Sequence, residues 1–209
     1  MKKLITLVFI FYTFFHSDAQ NPLEPVLKKY FRSHPFNMLF SKFINTLKKD
    51  TLFRIDEYAR RTDSSLFYLS GTYKKFNPFH YQASEVRLTV AEHQFLHSDS
   101  LKTLDTIIYF QIMGITDSSA AKKEAVISEF NKLHNKISDQ FYLNNYDFLQ
   151  KNGIDVAEIH NYFLSGFSVS PLTIAWGLLT ESNQYSFIVT IRCKIKENLA
   201  DLVLAPGEF

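Results

Sequence analysis

The chain has 209 residues, with 23 Lys and Arg against 21 Asp and Glu, a formal charge of +2. That near-neutral balance supplies no electrostatic footprint for nucleic acid or for an anionic membrane surface. A single cysteine excludes an internal disulfide, while 21 Phe, 11 Tyr and one Trp point to a well-filled core or an aromatic-lined cavity.

Residues 1–19 read as a secretory signal peptide. Lys2 and Lys3 precede an apolar run from Leu4 to Phe15, and Ser17 and Ala19 supply the small residues of a cleavage site before Gln20. As a helix that run rises about 18 Å, short of the ~30 Å hydrocarbon core, so a membrane anchor is not expected. Residues 20–209 are expected to be exported, to the periplasm or beyond, as one domain with no membrane span after cleavage.

Pro22 to Ser33 has Leu23, Val26, Leu27, Tyr30 and Phe31 at helical spacing, and Ser33-His34-Pro35 breaks it. A second helix is predicted from about Phe36 to Lys49, and a short third from about Thr51 to Arg60. Thr62-Asp63-Ser64-Ser65 is turn chemistry. Leu66 to Phe76 reads as a strand, with Gly71 as a bend or bulge. Ser84 to His97 is a second strand whose alternation changes phase, which predicts a bulge near Ala91-Glu92. After a turn at Ser98-Asp99-Ser100, Leu104 to Thr116 is apolar on both parities and reads as a central strand.

Ser118 to Ser138 carries the clearest helical stripe, Val126, Phe130, Leu133 and Ile137. Gln140 to Leu164 reads as mostly helical, broken at Asn152-Gly153. Leu172 to Thr180 is a strand, and Glu181-Ser182-Asn183 turns it into Tyr185 to Lys196. There Tyr185, Phe187, Val189, Ile191, Cys193 and Ile195 alternate with polar residues, giving one buried and one wet face. Six inward side chains at roughly 1.5–3 kcal/mol each make this the organising strand. Leu202-Val203-Leu204 reads as a short edge strand. The predicted fold is α+β in two layers: an antiparallel sheet of about five strands, with N-terminal helices and a helical insertion packed on it. This order is similar to the helix-lined sheets of nuclear transport factor 2-like or cystatin-like domains, a likeness of fold alone.

The chain has no glycine-rich phosphate loop and no His-Glu-x-x-His. Ser165-Gly166-Phe167-Ser168 lacks the second glycine of a nucleophile elbow. No motif calls for a cofactor, and none is expected. His93 and His97 share a strand face about 13 Å apart, and a tight hairpin would set Asp105 opposite Phe95. Cys193 reads as a small buried hydrophobe. Two function classes follow. The leading one is a non-catalytic exported domain that binds an apolar small molecule or an envelope protein, with Phe110, Phe130, Trp176 and Phe187 as candidate lining. The other is an envelope enzyme, a metal-dependent hydrolase centred on His93, His97 and Asp105. A third reading uses Leu202-Val203-Leu204 for strand addition to an assembly partner.

Overall fold

A computed structural model describes residues 23–35, 38–60, 66–96, 104–151, 154–163 and 170–194. Two helices come first, α1 (Glu24–Tyr30) and α2 (Phe40–Lys49). Pro25 sits in the first turn of α1, where its missing N–H breaks no helix bond, and Lys28 and Lys29 lie at the negative end of the dipole. Four strands follow: β1 (Phe53–Ala59), β2 (Tyr68–Tyr73), β3 (Glu85–Leu96) and β4 (Leu104–Thr116). Helix α3 (Ala120–Ile137) leads to β5 (Tyr142–Lys151), β6 (Ile154–Phe163), β7 (Leu172–Leu179) and β8 (Gln184–Lys194). The eight described strands form one antiparallel sheet in the order β1-β2-β3-β4-β8-β7-β6-β5.

The five strands expected from the sequence are the contiguous centre of this sheet, β2-β3-β4-β8-β7. Among the described residues the count is eight and not about five, because three outer strands lie in stretches read as helix. Thr51 to Arg60 holds β1, not a third helix. A register shift between Ile55 and Glu57, opposite Gly71 and Ser70, interrupts its period of two. Gly71 is therefore next to a bulge on the partner strand, and the Phe53 ring occupies the space a side chain there would need. Gln140 to Leu164 holds β5 and β6, not helices.

The bulge expected near Ala91-Glu92 is absent from the β3–β4 ladder, which pairs Glu85 with Ile115 through to Leu96 with Leu104 without a shift. The parity holds, and Glu92 stays on the face of Val86, Leu88 and Val90, buried, with its carboxylate accepting from the Phe67 N–H at 2.9 Å. A carboxylate on the core face mimics a phase change when only polarity is read. The leader at residues 1–19, the turns at 62–65 and 98–100, residues 152–153 and 165–168, His97 and the short strand at 202–204 lie outside the described residues.

One face of the sheet carries the core in rows that cross it strand by strand. One row runs Leu69, Val90, Phe110, Ile191, Leu172, Tyr162; the next runs Leu88, Ile112, Val189, Ile174, His160. The helices bury Leu27, Tyr30, Phe43, Leu47, Val126 and Phe130 in the same core. The other face of β8 is not the wet face expected. Ser186 and Thr190 are buried there, and Arg192 is half-buried, donating to Thr173 Oγ1 at 2.7 Å. Thr190 belongs to a polar row across all eight strands: Glu57, Ser70, Thr89, Gln111, Thr190, Thr173, Asn161, Asn145. Its short side chains bond sideways, Gln111 to Thr190 and Thr173 to Asn161. Neighbour-to-neighbour satisfaction lets small polar groups be buried at little cost.

Cys193 is 2 % exposed, and burial pushes its thiol well above the ordinary range. An aromatic disulfide reagent is expected to leave Cys193 untouched in native buffer and to modify it fully in denaturant. Rapid labelling of the native protein would contradict this placement.

Candidate functional site

The rows of the core face are apolar until they reach β6. There Trp176 pairs with Glu158, Ile174 with His160 and Leu172 with Tyr162. Side chains alternate along a strand, so Glu158, His160 and Tyr162 all face the side that α3 covers. His134, from the last turns of α3, meets them. Its Nδ1 lies 2.6 Å from the Tyr162 hydroxyl, and His160 Nδ1 lies 3.2 Å from the same hydroxyl. His160 Nε2 lies 2.7 Å from Glu158 Oε1, and Trp176 Nε1 donates to Glu158 Oε2 at 3.1 Å. The two imidazole rings stand edge to face, 5.1 Å apart.

Tyr162 and His160 are buried, while His134 and Glu158 are half-buried. Burial pushes the His160 imidazole below its ordinary range, against the pull of the Glu158 charge. Burial also pushes the Tyr162 phenol up. Both therefore favour the neutral form. Edge strand β5 adds an aromatic lip. The Tyr146 ring is 6.2 Å from His160 and 5.4 Å from Phe148, and both residues are exposed.

A second polar centre lies under α1. Glu129 of α3 is 1 % exposed and accepts from Lys29 Nζ at 2.6 Å, Tyr30 Oη at 2.6 Å and the His80 N–H at 3.0 Å. All three donors end on one carboxylate, which ties α1 and the strand β3 approach to α3. Beside it is a cavity of about 30 Å³ bordered by Val26, Lys29, Tyr30, Leu133, Lys136 and Ile137.

Of the residues singled out from the sequence, Phe110, Phe130, Trp176 and Phe187 are all buried in the core. Phe110 packs edge-on to Phe43 and Phe187 edge-on to Phe79, away from the cluster on β6. Phe130 and Trp176 do border that cluster: Phe130 lies 4.7 Å from the His160 ring. His93 is exposed, its ring 5.5 Å from Tyr109, and the register pairs Phe95 with Asp105 as the hairpin required. Among the described residues, no group of three or more His, Cys, Asp and Glu could hold a metal ion.

No family model, curated protein or solved structure matches the chain. The β6 cluster is therefore read from its own chemistry. Glu158, His160 and Tyr162 were missed from sequence because positions 158, 160 and 162 share a face only in a strand, and His134, on the predicted helix, had no partner without them. In the helix expected there, steps of two point in different directions. The signal was Asn152-Gly153, read as a break between helices, which falls in sequence between the paired strand ends Lys151 and Ile154. A two-residue Asn-Gly link between such runs is the strongest short hairpin signal.

Proposed function

We propose that the protein is a non-catalytic interaction module of the cell envelope that binds an extended partner polypeptide along β5. The supporting observation is the distribution of exposed apolar side chains. Among the described residues seven large ones are exposed, and five of them, Tyr142, Leu143, Tyr146, Phe148 and Leu149, lie on this one edge strand. An edge strand offers unpaired N–H and C=O groups to another chain, and proteins usually guard such edges with charge or irregularity. The opposite edge, β1, is guarded in that way. Arg54, Asp56 and Glu57 are charged, Arg54 pairs with Asp56, and the strand is bulged. On β5 only Asp147 and Lys151 are charged, and between its two register shifts the run from Asn145 to Leu149 is regular. A partner strand added there would gain backbone bonds from the edge and side-chain contacts from Tyr146 and Phe148. Export of the module rests on the leader-like residues 1–19.

Selection of short random peptides displayed against the purified protein tests this reading. Enriched peptides are expected to alternate apolar and polar residues, and binding is expected to weaken at least about tenfold in the Tyr146→Lys, Phe148→Lys double variant, as for aromatic anchors. Tyr58→Lys on β1 is expected to leave binding unchanged. Absence of enrichment, or binding that survives the double variant, would overturn the proposal. So would a protein that dimerises through β5 and takes no peptide.

A further inference from the structure

We propose that His134, Tyr162, His160 and Glu158 form a hydrogen-bond relay whose open end, His134 Nε2, takes the proton of the weakly acidic hydroxyl of a phenol-type ligand. Three contacts join the four side chains, and each needs one proton. A neutral imidazole has one N–H and one bare nitrogen, a hydroxyl donates once and accepts twice, and a carboxylate only accepts. With Glu158 ionised, the proton at its contact must sit on His160 Nε2. His160 Nδ1 is then bare and takes the Tyr162 O–H. The Tyr162 oxygen can still accept, so at the remaining contact His134 Nδ1 is the donor.

This arrangement satisfies every contact with both histidines neutral, and every donation runs the same way, from His134 to Glu158. It leaves His134 Nε2 bare. Among the described residues nothing hydrogen-bonds to that nitrogen, and the side chain is half-exposed. An imidazole held in one tautomer by a hydrogen bond to its other nitrogen is an oriented base. The cluster is built of rings: His134 stands 5.1 Å from His160 and 6.0 Å from Tyr162, and the exposed Tyr146 ring lies 6.2 Å from His160.

The transfer balances within the pair of ligand and His134. The ligand O–H bond breaks and its proton goes to His134 Nε2, so the ligand ends as a phenolate and His134 as an imidazolium. The Tyr162 and His160 protons stay in place and Glu158 stays a carboxylate, a weaker base than a phenolate, whose charge the aligned hydrogen bonds carry to the imidazolium. The relay needs no peptide on β5, so its fate is separate from that of the interaction reading.

Two measurements on the full chain test it. The first is nitrogen-15 NMR of the imidazoles in the unliganded protein, which reads each tautomer directly. His134 is expected to be protonated at Nδ1 and bare at Nε2, and His160 the reverse; the opposite pair of tautomers would overturn the relay. The second uses 4-nitrophenol, whose neutral and ionised forms absorb at different wavelengths, at a pH slightly below its own pKa. The wild type is expected to raise the ratio of phenolate to phenol in the bound probe at least about tenfold, a shift of one pKa unit. Tyr162→Phe keeps the ring but cuts the wire, and His134→Ala removes the open end. Both are expected to abolish the shift. No shift in the wild type, or a shift that persists in both variants, would overturn the proposal.

Discussion

Replacing Glu129 by Leu is expected to destabilise the fold by about 3 kcal/mol, near the lower end of the range for breaking a buried charge pair. The carboxylate accepts three donors, from Lys29, Tyr30 and the His80 backbone. Tyr30 is wholly buried, so its hydroxyl would lose its acceptor with no water to replace it. The Lys29 side chain is 25 % exposed and can turn to solvent, which keeps the loss from reaching the top of the range. Burial by itself raises the Glu129 pKa, but the bonds from Lys29, Tyr30 and His80 outweigh it and hold the carboxyl below its ordinary value of 4.5. A folded-state pKa below the unfolded one gives stability that is complete above about pH 4.5 and lost as pH falls through the folded value. Denaturant titration of the wild type and of Glu129→Gln is therefore expected to show a gap at pH 7 that narrows in acid. A gap independent of pH would mean that Glu129 acts through packing and not through its charge.

The centre of the sheet was legible because its strands bury strongly apolar residues at a period of two, as Phe187, Val189 and Ile191 do on β8. The margins were not, for three separate physical reasons. On β1 a bulge shifts the parity after Ile55, so that Phe53 and Ile55 no longer predict Tyr58. On β5 two further register shifts, after Leu143 and after Leu149, break the alternation of a strand that is exposed throughout its described side chains. On β6 the inward positions are Glu158, His160 and Tyr162, so a strand that faces the core looks polar there. Hydrophobic periodicity detects burial only where the buried side chains are apolar. The candidate site is built from the exceptions, and it became visible only when the pairing with Trp176, Ile174 and Leu172 placed those three residues in the rows of the core. Sites that break a local rule are where pattern reading is expected to fail.

Gly114→Ala is expected to destabilise the protein by about 2–3 kcal/mol, the upper part of the usual range for overpacking. Gly114 lies in β4 on the core face, paired with Phe187. A methyl group there would come within 2.4 Å of the edge of the Phe79 ring and 2.6 Å of the Tyr81 hydroxyl, which donates to the Gly114 carbonyl at 2.8 Å. Phe79 has little room to yield. It is stacked on Tyr81 at 5.3 Å, and it lies 5.8 Å from Tyr30 and 5.9 Å, edge-on, from Phe187. Movement of Phe79 also pulls on the segment whose His80 N–H binds Glu129, so strain at Gly114 reaches the buried carboxylate through one residue of backbone. A double-mutant cycle separates the local clash from general loss of packing. Phe79→Leu alone is expected to destabilise through the cavity it leaves, but in the Gly114→Ala background the smaller side chain makes space for the methyl. The two losses should fall short of additivity by about 1 kcal/mol or more in denaturant unfolding. Strict additivity would mean that the ring moves aside freely, and that the glycine is there for the conformation of β4 and not for the close approach of Phe79.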